Sequence, residues 1–96
     1  MPQEAFEKDP PLTSKLKHLP DRPGVYLFRN SGGDVLYVGK AKSLRNRVRS
    51  YFHTSASHNI RIQVMVSLVR DVSLIITDTE AEALILEEQL IKTHLP

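Results

Sequence analysis

Apolar and aromatic residues in the first half of the chain form two short clusters that predict a β-hairpin. Residues 24–30 and 35–38 are rich in β-branched and aromatic side chains, and Asn-Ser-Gly-Gly-Asp, a strong turn signal, lies between them. A two-residue loop would place Tyr26 directly opposite Tyr37, on the same face of the hairpin. We therefore expect a hairpin over about 24–41 that brings two phenols together, the alternative being two ordinary strand aromatics.

Helical periodicity and capping signals predict helices around this hairpin. Pro20 ends a short helix over Leu12 to Leu19, and Ser43 is an N-cap candidate for a helix that runs to Phe52. Further along, residues 71–77 are β-like, and Thr-Glu-Ala-Glu at 79–82 is a capping-box signature that opens a helix over about 80–94.

The segment 59–70 is ambiguous. Its apolar residues alternate strictly from Ile60 to Leu68, which favours a strand. The subset Ile60, Val64 and Leu68, with Met65 and Val69, also fits the buried face of a helix. The pattern alone favours the strand.

Length and composition indicate one small domain. Ninety-six residues can bury a modest core, and we expect a flexible tail over residues 1–11 followed by a folded part over 12–96. Cysteine is absent, and His53 and His58 match no common zinc spacing. No apolar run approaches the length of a membrane span, so we expect a cytoplasmic protein without membrane contact.

Charge is distributed unevenly along the chain. Residues 35–70 contain no acid and seven cations, which are Lys40, Lys42, Arg45, Arg47, Arg49, Arg61 and Arg70. Residues 71–96 contain six acids and only one basic residue. A basic block beside an acidic segment indicates a phosphate-facing surface next to a place for a cation. The alternative is a solvated basic helix paired with an acidic one.

The basic residues near the second helix are candidates for phosphate binding. Lys40 and Lys42 stand beside the N-terminus of this helix, where an anion is favoured. On a helical wheel this helix has one apolar stripe, formed by Leu44, Val48, Tyr51 and Phe52. Arg45 and Arg49 lie beyond one edge of the stripe, and Arg47 lies alone at the other edge. A guanidinium suits two phosphate oxygens, although a solvent-exposed arginine is the commoner case.

Glu87 is the most informative acid in the chain. On the last helix it falls in the middle of the apolar arc formed by Ala83, Leu84, Leu86, Leu90 and Ile91. A carboxylate on a buried face is costly unless it pairs with a cation or binds a metal. The sequence leaves both a structural ion pair and a metal ligand open.

Together these residues resemble the GIY-YIG nuclease family, and more closely its UvrC branch. The resemblance covers residues 12–96 and rests on two tripeptides, Gly24-Val25-Tyr26 and Tyr37-Val38-Gly39, with Lys40, Arg47 and Glu87 at matching positions. The run from Tyr37 to Phe52 and the segments 82–87 and 90–92 also match the UvrC branch. The resemblance implies an α+β fold, a small three-stranded antiparallel sheet flanked by helices. In that fold residues 59–70 are helical and the third strand lies at about 72–77, and we adopt this interpretation.

The resemblance further implies hydrolysis of a DNA phosphodiester with one divalent metal ion, Mg²⁺ or Mn²⁺. Glu87 would be its only protein ligand, and Tyr37 the general base or the residue that orients the attacking water. Lys40 would supply positive charge that lowers the pKa of Tyr37. Arg47 would stabilise the charge that develops on the phosphate, and Tyr26 would hold the water and phosphate network.

In the UvrC branch, the substrate would be damaged double-stranded DNA, cut on the 3′ side of a lesion, and UvrB would be a partner through regions absent from this chain. Domains of this type have a Lys-Tyr-Asn segment after the last helix, and we expect the chain to stop just before it, as a fragment whose isolated activity is in doubt. Two alternatives stay open: another GIY-YIG nuclease, or a noncatalytic DNA-binding module that uses the same basic block.

Overall fold

The computed structural model describes residues 11–53 and 58–95 and confirms the predicted α+β fold. The predicted tail lies outside the described residues except for Pro11, as do residues 54–57 of the segment after the second helix. In chain order the elements are α1 (Leu12–Lys17), β1 (Gly24–Arg29), β2 (Val35–Ala41), α2 (Leu44–His53), α3 (Ile60–Leu68), β3 (Asp71–Ile76) and α4 (Glu80–His94).

The three strands form one antiparallel sheet in the order β2-β1-β3. The central strand β1 is buried along almost its whole length, because it has a strand on each side and helices on both faces. Gly24 at its start lies so close to β3 that an added Cβ would overlap the Ile75 carbonyl. This contact explains why the first tripeptide begins with glycine.

The predicted hairpin forms, but its predicted register is wrong by two residues. Tyr26 pairs with Gly39, and Tyr37 pairs with Phe28. One residue of the shift comes from the turn, where Gly33 adopts φ 86° and lengthens the loop. The other comes from an irregularity beside Arg29. Because the total shift is even, Tyr26 and Tyr37 remain on one face as diagonal neighbours.

Residues 60–68 are helical, so the strand that alternation favoured is wrong and the interpretation from the resemblance is confirmed. Asn59 begins α3 as an N-cap, its side-chain oxygen accepting from the Ile62 amide at 2.9 Å. The buried-face assignment was correct for Met65 and Val69, which belong to the core, but wrong for Ile60, Val64 and Leu68, which are 50–72% exposed. Ile62 and Val66 pack on the core in their place. Two apolar stripes on one helix produced the misleading alternation.

The sheet separates two cores. One core, under α1, α2 and α3, contains the aromatic residues of β1 and β2. The other lies under α4, which packs on β2 and β1 through Ala83, Leu86 and Leu90. The predicted capping box at Thr79 and Glu82 is present. No helix within the described residues is both long and apolar enough to cross a membrane.

Candidate active site

The three tyrosines of the chain form a cluster on the α2 face of the sheet. The ring centroids of Tyr26, Tyr37 and Tyr51 lie 5.8–6.2 Å from one another. The hydroxyls of Tyr26 and Tyr51 are 2.9 Å apart, a hydrogen bond that either one can donate. The prediction that folding brings Tyr26 and Tyr37 together is therefore confirmed, and Tyr51 joins them from α2.

Gly39 makes room for this cluster. It lies opposite Tyr26 in the hairpin, and an added Cβ would overlap the Tyr26 phenol. Tyr26 itself is almost completely buried. The glycine of the second tripeptide therefore allows the tyrosine of the first to lie across the neighbouring strand.

Burial raises the pKa of all three tyrosines above the ordinary value of 10, that of Tyr51 to about 12. For Tyr37 the negative charge of Glu87 adds to this increase, while the positive charge of Arg47 opposes it. We expected Lys40 to lower the pKa of Tyr37. In the structure Arg47 is the cation that acts in this sense, and the net shift in pKa is upward.

Arg47 projects from α2 over the tyrosine cluster. Its guanidinium carbon lies 5.7 Å from the centre of the Tyr51 ring, within the range of a cation–π contact. Its interaction with the Tyr26 hydroxyl raises the pKa of the guanidinium further. The sequence predicted that Arg47 lies alone at one edge of the apolar stripe, and the structure agrees. Its side chain lines an open cleft.

Glu87 lies on the opposite face of the sheet, beside the edge strand β2. Its Oε2 accepts a hydrogen bond from the Lys40 backbone amide at 3.0 Å. The prediction that Glu87 sits in the middle of a buried arc needs correction. Because α4 packs through Ala83, Leu86 and Leu90, Leu84 and Ile91 are about 40% exposed and Glu87 is half-buried at the margin.

The carboxylate of Glu87 fits a hard divalent cation. Among the described residues, its Oε1 receives no hydrogen bond or ion pair, whereas Oε2 is fixed by Lys40. No group of three or more candidate metal ligands occurs within residues 11–53 and 58–95. A single carboxylate supplemented by water is an arrangement that Mg²⁺ tolerates because it retains several waters. The Lys40 ammonium pairs with Glu80 at 3.3 Å.

A cleft of about 480 Å³ lies at the end of β2, beside the N-terminal half of α2. Its walls include Lys40, Lys42, Arg47 and Glu80. Because alternate residues of a strand point to opposite faces, Tyr37 and Lys40 belong to different sides of the sheet. A substrate must therefore reach around the edge of β2 to contact both Arg47 on one face of the sheet and Glu87 on the other.

The structure does not bring Arg45 and Arg49 into this cleft. The Arg45 guanidinium donates to the Leu19 carbonyl at 3.2 Å, and that of Arg49 donates to the carbonyls of Leu16 and Lys17 at 3.2 and 3.3 Å. Arg49 therefore attaches α2 to the end of α1, and Arg45 attaches it to the segment that follows α1. Lys40, Lys42 and Arg47 are the members of the predicted phosphate-binding set that line the cleft.

Sequence reasoning missed Tyr51 as a site residue. It follows Arg47 by four positions and therefore shares its side of α2, which was the available signal. We assigned it to the apolar stripe because its neighbours Val48 and Phe52 are apolar. The ring is indeed buried, but its hydroxyl belongs to the tyrosine cluster.

Comparison with known proteins gives a consistent family. Residues 22–96 match the model of the UvrC-like GIY-YIG domain. The UvrABC system protein C of Gloeobacter violaceus is 60% identical over 85 residues, and that of Acaryochloris marina is 55% identical over the same length. Each match covers 88% of this chain and 14% of the relative, so the chain spans about a seventh of the length of these curated relatives.

A solved structure gives the same result. The GIY-YIG N-terminal endonuclease domain of UvrC from Thermotoga maritima, bound to its catalytic magnesium, superposes with a TM-score of 0.77 at 37% identity. The match covers 88% of this chain and 90% of that domain. Three tyrosine-to-phenylalanine variants and one asparagine-to-alanine variant of that domain were also solved with the divalent cation bound.

Proposed function

Because the chain belongs to the UvrC-like GIY-YIG domain family, we propose that it is a metal-dependent endonuclease domain that cuts damaged double-stranded DNA on the 3′ side of a lesion during nucleotide excision repair. The observation that supports this most strongly is the Glu87 carboxylate, fixed by the Lys40 amide beside an edge strand whose other face holds Tyr37 and Arg47. A single carboxylate on one side and a phenol with a guanidinium on the other suit phosphodiester hydrolysis.

Glu87 holds one divalent cation, Mg²⁺ or Mn²⁺, in this proposal. The bound cation would act as a Lewis acid and stabilise the oxygen that leaves. The Lys40 amide fixes the orientation of the carboxylate, so that Oε1 is presented without the loss of a protein contact. The Lys40–Glu80 pair places another carboxylate and an ammonium in the cleft beside the end of β2.

Tyr37 and Arg47 act on the opposite side of the edge strand. Burial raises the pKa of Tyr37, which keeps its hydroxyl protonated at neutral pH. This favours a role in which the neutral phenol orients the attacking water through a hydrogen bond, over one in which an ionised Tyr37 removes its proton. Arg47 donates to the phosphate oxygens as negative charge develops on them, and Tyr26 and Tyr51 fix Tyr37 in place.

The cations of the cleft supply DNA affinity. Lys42 and Arg47 are exposed, and together with Lys40 they offer contacts to phosphates on both sides of the scissile bond. Arg45 and Arg49 contribute only long-range positive potential, since their guanidiniums hold the end of α1 and the segment that follows it. We further propose that the domain works in the cytoplasm within a UvrC-type protein, whose other regions bind UvrB.

The test compares Glu87→Ala with the matched control Glu88→Ala, which removes the same charge from the exposed neighbour. In a UvrC-type protein that contains this chain, assayed with UvrB on a duplex with a lesion, we expect Glu87→Ala to lose the 3′ nick. DNA binding should be intact or stronger, because a negative charge is removed. Glu88→Ala should cut normally. If Glu87→Ala still makes the 3′ nick, the domain is a noncatalytic DNA-binding module.

A further inference from the structure

His58 contacts the end of α2 in two ways, and the reaction described above assigns it no role. Its ring stacks on Tyr51 with a centroid separation of 5.5 Å and an interplanar angle of 25°. Its Nε2 lies 3.2 Å from the Ser50 carbonyl oxygen. Because a carbonyl can only accept, Nε2 carries the hydrogen in this contact. The stack restrains the tilt of the Tyr51 ring, and the hydrogen bond restrains the rotation of the imidazole itself.

The chain on the α3 side also holds His58. Gln63 donates from its side-chain amide to the His58 carbonyl at 2.8 Å, and Asn59 caps the helix that follows. His58 therefore connects the start of α3 to the last turn of α2. Together with Tyr37, Arg47 and Ile62 it lines a small cleft of about 200 Å³ beside the tyrosine cluster.

Tyr51 stands between His58 and the reacting groups. Its hydroxyl bonds to that of Tyr26 at 2.9 Å, and its ring is 6.1 Å from that of Tyr37. The guanidinium of Arg47 lies 5.7 Å from the same ring. Any rotation of Tyr51 would therefore change the surroundings of both Tyr37 and Arg47.

We propose that His58 is a positioning residue for the nuclease reaction, acting through Tyr51. This inference rests on the function proposed above and adds a residue from outside the two family tripeptides and their partners. His58 holds the Tyr51 ring by stacking, and Tyr51 in turn holds Tyr26, Tyr37 and Arg47. Such a role predicts an effect on the rate of cutting and little effect on DNA affinity.

Two substitutions at this position separate stacking from the other properties of the imidazole. His58→Ala removes both contacts, and His58→Phe retains a flat ring that can stack. At saturating DNA we expect His58→Ala to nick about 10-fold more slowly, less than the roughly 100-fold loss that a 1 Å misplacement can cause. His58→Phe should recover most of the rate. DNA affinity should change less than about twofold in both variants, because neither loses a phosphate contact.

Controls make the result specific. His53→Ala removes an exposed imidazole from the last residue of α2, and this variant should nick at the normal rate. In the 96-residue chain, the ring signals of Tyr51 in NMR spectra should shift in His58→Ala and return towards the original positions in His58→Phe.

Three results would overturn the inference. They are normal nicking by His58→Ala, unchanged Tyr51 signals in that variant, and a slow rate explained by weakened DNA binding, which would make His58 a direct DNA contact. Glu87→Ala is assayed in parallel. If it nicks normally, the proposed function and this inference fail together, whereas normal nicking by His58→Ala alone overturns only the role of His58.

Discussion

Gly39→Ala tests the packing that forms the tyrosine cluster. The added methyl would overlap the phenol of Tyr26, which has almost no exposed surface and therefore little room to move. Overpacking of this kind costs typically about 1–3 kcal/mol. If the ring rotates away, the hydrogen bond between Tyr26 and Tyr51 is lost as well, at about 1 kcal/mol.

The assay is thermal or urea unfolding of the 96-residue chain. A loss of 1 kcal/mol lowers the melting temperature of a domain of this size by about 4–8 °C, so the effect is easily resolved. Gly32→Ala is the matched control. A Cβ at Gly32 would meet only the side chains of Asn30 and Asp34 at ordinary contact distances of 3.5 and 3.6 Å. We expect that variant to be as stable as the original chain or slightly more stable.

The same substitution should also slow DNA nicking, because it displaces a member of the tyrosine cluster. If Gly39→Ala unfolds at the same temperature as Gly32→Ala and nicks DNA normally, the argument is refuted. In that case the second tripeptide does not require glycine for the contact with Tyr26.

Two further predictions concern the arginines and the tyrosines. In kinetic assays, Arg47→Ala should slow nicking by about 100-fold or more, and its stability should change little. In denaturation measurements, Arg45→Ala should reduce the free energy of unfolding by about 1 kcal/mol, while its nicking rate stays almost unchanged. Slow nicking by Arg45→Ala together with normal nicking by Arg47→Ala would contradict the assignment of a catalytic role to Arg47 and a structural role to Arg45. Ultraviolet titration should detect ionisation of Tyr51 only near pH 12 in the folded chain. Because its pKa is raised in the folded state, the contribution of the neutral Tyr51 hydroxyl to the free energy of unfolding is complete below pH 10 and is lost as the pH rises towards 12. Ionisation near pH 10 in the folded chain would show that Tyr51 is not buried as described.

Much of the fold follows from local signals in the sequence. Two helices begin where their capping residues predict, one at the capping box of Thr79 and Glu82 and one at the N-cap Ser43. These signals can be recognised in the sequence because each depends on residues only three positions apart. Segment 59–70 shows the limit of such signals. Periodicity records which residues are apolar but not which become buried, and α3 leaves one of its two apolar stripes in solvent. The resemblance resolved this segment correctly where the pattern did not.

The candidate site shows the same division. Tyr26, Tyr37, Arg47 and Glu87 were identified from motifs and helical position, and folding brings them to the two sides of one edge strand. The register could not be predicted, because it depends on the φ of Gly33 and on an irregularity beside Arg29. The separation of Arg45 and Arg49 from Arg47 could not be predicted either, since it depends on how α1 packs against α2.

The central claim is that Glu87 holds the divalent cation, and a titration of the 96-residue chain with paramagnetic Mn²⁺ followed by NMR tests it most directly. We expect the Lys40 amide signal to broaden first, because that amide donates to the Glu87 carboxylate. The broadening should persist in Glu88→Ala and disappear in Glu87→Ala. Equal broadening of the Lys40 signal in the original chain and in Glu87→Ala would contradict the claim and place the metal elsewhere.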